Sequence, residues 1–407
     1  MREAQLDSRY SWFRLAVTMA IGTIGSVGVW SMQVALPAVQ VEFGVARGSA
    51  SLPYTMTMFG LVFGSILMGK LSDRFGIFVP VVLGAVGLCI GYVSTSLAGD
   101  LTTFTLAYGF IIGLLGSSAM FGPLIADSSL WFDRRRGLAI ALCASGNYMA
   151  GTVWPPILEH LISSYGWRQA HFTVGIFCIA TLIPLAFLLR RKPPRQSTLT
   201  PVSLSGEARG GLGLKPGFVQ ALIVIAGIAC CVAMSMPQVH IVAYCVDLGY
   251  GPARGAEMLS LMLATGVISR LASGWILDHI GGFRTLLLGS IGQMVALALY
   301  IPFDGLVSLY VISAVFGLVQ GGIVPSYPFI IRDLFPAKEA GYRISLALAA
   351  TLAGMAIGGW LSGAIFDLTG SYRMALLNGI GWNLLNMAIA FWLFQRWRGR
   401  RTVHALA

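Results

Sequence analysis

Twelve long apolar runs dominate the chain, near 12–37, 49–70, 77–98, 103–127, 136–163, 168–190, 216–246, 254–277, 284–302, 305–331, 342–367 and 373–396. A helix needs about 20 largely apolar residues to cross the hydrocarbon core of a bilayer, and each run has roughly that length. In lipid, every backbone N–H and C=O must be bonded inside the protein, which leaves helices or a closed barrel. A barrel shows short alternating segments instead of long unbroken ones. A polar stretch from Arg191 to Lys215, rich in Arg, Pro, Ser and Gly, separates the first six runs from the last six. The expected fold is an all-α polytopic membrane protein of twelve transmembrane helices. It comprises one six-helix bundle over 1–190, a cytoplasmic linker over 191–215, and a second bundle over 216–407 with a basic tail.

Composition removes the competing classes. Charged residues make up 11% of the chain, against about 25% in soluble domains, too little to cover a core of this hydrophobicity. A mean hydropathy of +0.78 excludes a disordered chain, which needs low hydrophobicity and high net charge. The formal charge of +11 raises the question of nucleic acid, but the basic residues occupy short loops between apolar runs. With the N-terminus placed in the cytoplasm, Arg14, Lys70, Arg74, the Arg134–Arg136 run, Arg284, Arg332, Arg343 and the Arg396–Arg401 tail all fall on one side. That bias sets orientation in a membrane, so both termini are expected in the cytoplasm, with no nucleic-acid partner. The six cysteines lie in or beside apolar runs without metal-ligand spacing, and read as packing residues.

The two halves repeat a loop. Gly69-Lys70-Leu71-Ser72-Asp73-Arg74-Phe75-Gly76 lies between helices 2 and 3, and Gly274-Trp275-Ile276-Leu277-Asp278-His279-Ile280-Gly281 lies between helices 8 and 9. With these paired loops the chain resembles the major facilitator superfamily. That resemblance implies two six-helix repeats with a substrate site between them near the bilayer midplane. It also implies a gating role at the cytoplasmic face for Gly69, Asp73, Arg74, Gly76, Gly274, Asp278 and Gly281, the glycines letting helix ends approach closely. Two further stretches are Pro123 to Ala139 with its Trp131-Phe132-Asp133-Arg134-Arg135-Arg136-Gly137 core, and Ser145-Gly146-Asn147 through Trp154-Pro155-Pro156 to Tyr165-Gly166-Trp167-Arg168. With Arg270 in helix 8, they are similar to the bacterial monocarboxylate transporter and oxalate:formate antiporter families. The chain departs from the pattern of the first family at two places: helix 1 has no lysine, and Gly266 stands four residues before Arg270.

Arg270 is the foremost functional candidate. It lies eight residues before Asp278, about 12 Å along a helix, too deep to reach the interface easily. Arginine stays charged there, and an intramembrane charge is costly without a counter-charge. Asp127, Glu159, Asp247 and Asp367 fall near helix ends, so no buried carboxylate is at hand for it. A single cation suits one carboxylate, held by a two-pronged charge-assisted pair. Trp30 and Gln33 of helix 1, Tyr54 of helix 2, Asn147 and Tyr148 of helix 5, and Gln320 and Tyr327 of helix 10 are the polar and aromatic residues at mid-depth. The family resemblance implies that such side chains surround the substrate. His240 in helix 7 is a candidate for coupling to protons, with a plain hydrogen-bonding role as the other reading. His171 and His160 are expected at the outer interface.

These residues predict a secondary carrier for a small organic anion, a monocarboxylate, working by alternating access as a monomer in the inner (plasma) membrane of a bacterium. Protons or a counter-anion are its expected co-substrates, and anionic lipid is the expected contact of the basic tail. A multidrug carrier or a carrier of aromatic or sugar-derived acids is the alternative. No constellation calls for a metal or cofactor, and none suggests an enzyme.

Overall fold

The computed structural model describes residues 6–132, 135–191 and 214–406, and no strand occurs among them. Most of the expected linker, and Asp133 and Arg134 of the basic run, lie outside the described residues.

Ten spans follow one helix each: α1 Arg9–Phe43, α2 Arg47–Phe75, α3 Phe78–Ser96, α4 Leu101–Ser129, then α7 Pro216–Asp247, α8 Pro252–Ile280, α9 Gly282–Leu299, α10 Leu306–Leu334, α11 Tyr342–Thr369 and α12 Tyr372–Arg398. Between them, the helix Arg136–Leu188 turns at Gly166, where φ is 79° and ψ 157°. We treat its arms as α5, 136–165, and α6, 167–188. The sequence expectation of twelve spans therefore holds.

The turn residues explain why the spans end where they do. Gly76 closes α2 at φ 78° and Gly281 closes α8 at φ 80°, a region that L-residues with a Cβ disfavour. The paired glycines of the repeated loop thus serve a backbone conformation. A Cβ built on Gly69, Gly76, Gly274 or Gly281 would meet nothing within 4 Å. The close helix approach expected of these four glycines is absent here. It occurs instead along α11, where a Cβ on Gly354 would lie 2.5 Å from the carbonyl oxygen of Ile228 in α7. Small residues at such spacing let helices pack backbone to backbone. At the start of α4, Asp100 caps the helix by accepting the Thr103 N–H at 2.9 Å. That bond and the Thr103 hydroxyl hold its carboxyl below the usual carboxylate range.

Four spans are interrupted, α2 at Ser51 and α10 at Gly321–Gly322 by short breaks, and α1 and α4 at the cavity. α1 breaks at Ser26, between Arg9–Gly25 and Val27–Phe43. α4 widens into a π-helix over Ala107–Gly116, tightens into a 3₁₀ turn over Ser117–Met120, and restarts at Gly122. Irregular backbone at membrane depth is tolerated where protein or a cavity surrounds it. The breaks in α1 and α4 contribute to the cavity described below.

Three seams join the halves: α2 against α11, α5 against α8, and α1 against α7. Twelve spans put both termini on one face of the bundle, here called the termini face. From the opposite, far face inward, the halves are joined by Arg47 to Asp247, by the Gly48 N–H to Asp367 at 2.7 Å, and by Thr55 to the Ala356 carbonyl at 3.0 Å. Ser260 to the Thr152 carbonyl follows, and Arg270 to the Ala144 carbonyl, at 3.4 Å, is the member of this series nearest the termini face. At the termini face itself, Asp73, Arg74 and Asp278 are exposed.

Within the first half, Arg14 is buried and pairs with Asp127 at 2.8 Å. It also donates to the Leu189 carbonyl at 3.0 Å and lies 4.5 Å over the Trp131 ring. α1, α4 and α6 are thereby tied together near the termini face. His171 corrects another expectation, because it is wholly buried rather than at the outer interface. Its ring lies within hydrogen-bond reach of Thr95 at 3.1 Å and of Tyr108 at 3.3 Å, stacked against Phe104. The short polar rims of α3 and α4 gave no sign that their hydroxyls turn inward. His160 is exposed, as expected.

Candidate functional site

A cavity of about 200 Å³ lies between the halves, lined from α1, α2, α4, α5, α7, α8, α10 and α11. Its charged residue among the described ones is Arg270. The helical stagger explains the surroundings of this side chain. Gly266 stands one turn earlier on α8, and a Cβ there would lie 2.7 Å from the Tyr148 ring. Glycine thus opens a slot on α8 that the Tyr148 ring fills, and the Arg270 guanidinium lies over that ring at 4.4 Å. Stacking on the π face holds a guanidinium without consuming its N–H groups. The Ala144 contact at 3.4 Å is long, and Nε of Arg270 is buried with no acceptor. Among the described residues, no carboxylate is within ion-pair distance of it.

The other candidates divide into two groups. Trp30, Tyr54, Asn147 and Tyr148 line the cavity together with Arg270. Trp30 donates its indole N–H to the carbonyl and the side-chain oxygen of Asn147, at 3.0 and 3.1 Å, fixing α1 to α5. Gln33, Gln320 and Tyr327 do not line the cavity. Gln33 lies one turn beyond Trp30 on α1, buried, with both amide atoms unpartnered. Gln320 accepts from Gln238 at 2.6 Å, so the amide that reaches the cavity is Gln238. Tyr327 is buried inside the second half and donates to Asn386 at 3.0 Å. Asn386 in turn donates to Ser290 at 2.8 Å. In a helix apolar on all sides, sequence spacing does not reveal which face meets a cavity.

Sequence reasoning missed several lining residues. Met58, Met234 and Met355 face the cavity from α2, α7 and α11, and Ser26 and Ser117 face it at the breaks in α1 and α4. Ser117 Oγ is buried without a partner. The breaks left one legible signal, the dense glycines flanking Ser26 and Ser117.

At the far face the two halves are joined by a second arginine. Arg47, at the start of α2, pairs through both terminal nitrogens with Asp247 of α7, the NH2 contact being 3.1 Å. It donates to Tyr372 of α12 at 3.1 Å and to Gln40 at 3.0 Å, and stacks over Phe366 at 4.3 Å. Asp367 of α11 accepts the backbone N–H groups of Arg47 and Gly48, at 2.8 and 2.7 Å. A carboxylate from one half thereby caps the helix start of the other, where the helix dipole favours negative charge. His240 belongs to this cluster and does not line the cavity. Its Nδ1 lies 3.0 Å from the Tyr372 hydroxyl and its Nε2 2.7 Å from the Gly359 carbonyl. A neutral ring satisfies both contacts, with Nε2–H donating and Nδ1 accepting.

Among the described residues, no three His, Cys, Asp or Glu side chains come together to hold a metal ion. The arrangement is a chamber between two helical halves, with the Arg47–Asp247 ion pair joining those halves toward the far face. The family model for the Major Facilitator Superfamily matches residues 18–327, and the chain belongs to that superfamily. It is 28% identical to monocarboxylate transporter 13 of Rattus norvegicus over 370 residues, covering 88% of this chain and 82% of the relative. It is 25% identical to monocarboxylate transporter 11 of Homo sapiens over 390 residues, covering 91% and 80%. Among solved structures, the fold matches the nucleoside transporter NupG with a TM-score of 0.74 at 13% identity, covering 94% of this chain and 99% of that one. It matches a peptide transporter, POT, in complex with sulfate with a TM-score of 0.74 at 12% identity, covering 97% and 96%.

Proposed function

We propose that this protein carries a small organic anion, a monocarboxylate, across the membrane by alternating access. The observation that carries the reading is Arg270: a cation facing a chamber between the halves, stacked but unpaired. A fixed charge in a low-dielectric site is stabilised by a counter-charge, and here the ligand supplies it. One guanidinium with free N–H edges matches one carboxylate. Trp30, Tyr54, Asn147 and Tyr148 form the walls around the bound anion. Gln33, Gln320 and Tyr327 support those walls or pack the halves rather than touching substrate. Among the described residues no acidic side chain lines the cavity, so a cationic drug finds no partner on that wall. The names of the two mammalian relatives agree with a monocarboxylate.

The basic-residue bias supports a termini face in the cytoplasm and residence in a plasma membrane. The structure then corresponds to a carrier shut outward by Arg47 and its partners. On return, the Gly69–Gly76 and Gly274–Gly281 loops close on the opposite half, with Asp73, Arg74 and Asp278 exchanging partners. His240 serves the outer latch in this reading, and any coupling to protons acts through that latch.

The test is uptake of labelled mono- and dicarboxylates into proteoliposomes, with wild type and Arg270→Ala side by side and a pH gradient present or absent. Saturable uptake of a monocarboxylate that disappears in the variant supports the reading. Unchanged uptake in the variant, or no carboxylate uptake by wild type, refutes it. The gradient arm separates symport from exchange.

A further inference from the structure

The chamber's polar groups are mostly committed to the protein itself. The Trp30 indole N–H is taken by Asn147. The Ser65 hydroxyl donates to the Leu61 carbonyl at 2.6 Å, and Thr351 donates to the Leu348 carbonyl at 2.7 Å. The Gln238 amide donates to Gln320 at 2.6 Å. What remains for a ligand is one charged feature, the Arg270 guanidinium with its buried, unpartnered Nε, and one small neutral one, the unpartnered Ser117 hydroxyl. The Asn147 amide nitrogen and the Tyr54 hydroxyl are lesser donors.

The rest of the wall is apolar. Arg270 and Tyr148 belong to the α5–α8 seam. The α2–α11 seam contributes Met58, Leu61, Leu348, Leu352 and Met355, and α7 adds Met234. Methionine is unbranched and polarizable, adapts to tails of different shape, and makes favourable contacts with aromatic rings. A ligand hydroxyl placed against such a wall loses its water without replacement, which weakens binding by roughly five- to a hundredfold.

Resting on the carboxylate reading above, we infer that the preferred substrate is a monoanion with an apolar, aromatic or branched tail, its carboxylate on Arg270 and its tail on the Met58–Met234–Met355 wall. Short hydrophilic acids, polyhydroxylated acids and dicarboxylates are the poorer ligands. A second carboxylate meets no second cation among the described lining residues. A polyol meets the single hydroxyl of Ser117 on one side, while those of Ser65 and Thr351 are already spent on backbone carbonyls. Each methylene moved from water to the wall strengthens binding about fourfold.

The test is ligand-induced thermal stabilisation of the purified full-length protein, which passive leakage of apolar acids through lipid does not disturb. The probes are propionate, lactate, gluconate, succinate, 3-phenylpropanoate and phenethylamine. 3-Phenylpropanoate is expected to bind at least tenfold more tightly than propionate, with gluconate and succinate weaker still. Its stabilising effect is expected to vanish in Arg270→Leu, which separates specific binding from partition into the detergent. In Met355→Ser and Met58→Ser the ratio between phenylpropanoate and propionate is expected to fall several-fold. Propionate, lactate or gluconate binding as well as 3-phenylpropanoate overturns this inference and leaves the carboxylate reading standing. Phenethylamine matching the acid, or no acid stabilising wild type, overturns both. The panel on wild type decides the matter even if a methionine variant fails to fold.

Discussion

Arg47 and Arg270 both lie between the two halves, and the protein satisfies them differently. Arg47 meets Asp247, Tyr372 and Gln40, covers the Phe366 ring, and has its backbone N–H taken by Asp367. Arg270 has one ring beneath it, one long carbonyl contact, and an Nε with no acceptor. Pairing at Arg47 makes the side chain part of the fold in this conformation. In the reading proposed above, the missing carboxylate at Arg270 leaves its hydrogen-bonding edge to the substrate. Arg14 gives a third case, buried and paired with Asp127 inside a single half. In the proposed reading, the difference among the three separates a structural tie, a latch between moving bodies and a ligand site.

The largest expected effect tests the ligand end of this comparison. Arg270→Ala should abolish saturable uptake, lowering kcat/KM by two orders of magnitude or more, because a buried charge-assisted pair is commonly worth 2–5 kcal/mol. Arg270→Lys should recover little of it, since an ammonium does not reproduce a stacked, two-pronged guanidinium. Activity near wild type in Arg270→Ala would place the substrate elsewhere.

Arg14 should respond in the opposite sense. Arg14→Ala strands Asp127 and should lower unfolding stability by about 3–5 kcal/mol, whereas an apolar double replacement of Arg14 and Asp127 should restore most of it. Arg270→Leu removes a charge that has no partner, so the ligand-free variant should be at least as stable as wild type. Thermal unfolding of the three proteins checks the contrast, and a destabilised Arg270→Leu would show that this side chain is structural.

Much of the frame behind these predictions is local and therefore legible in sequence. Span lengths follow from hydropathy, and Gly76 and Gly281 announce the ends of α2 and α8 because few other residues adopt their φ. Arg270 stood out because a charge at that depth is rare. The latch was not legible, since Arg47 and Asp247 are 200 residues apart and each alone resembles an ordinary helix-end charge. The same holds for Arg14 and Asp127, 113 apart. Tyr327 and Gln320 share the depth of the cavity but not its face, and only packing shows that. The widened stretch of α4 arises from its neighbours as much as from its own glycines.

Smaller effects sharpen the latch and the slot. Arg47→Ala or Asp247→Asn should shift the population toward a far face that is open, read as longer distances between spin labels at the outer ends of α2 and α11. An unchanged distance distribution would mean that the cluster does not hold the halves together. Gly266→Ala places a methyl where the Tyr148 ring lies, and should weaken substrate binding about tenfold by tilting the ring from beneath Arg270. The smallest effect concerns Tyr327. Tyr327→Phe should cost about 1 kcal/mol of stability through the lost bond to Asn386 and leave substrate affinity unchanged. A large loss of affinity would return Tyr327 to the binding site.

The most direct measurement of the central claim pairs the charge of the ligand with the charge of the protein. The affinity of a monocarboxylate and of its uncharged primary amide would be measured for wild type and for Arg270→Leu, closing a double-mutant cycle. The account predicts that wild type prefers the acid by about two orders of magnitude, and that the preference disappears in the variant while the amide binds both proteins alike. An equal preference for acid over amide in the two proteins would contradict it, because the ligand's charge would then be recognised by something other than Arg270.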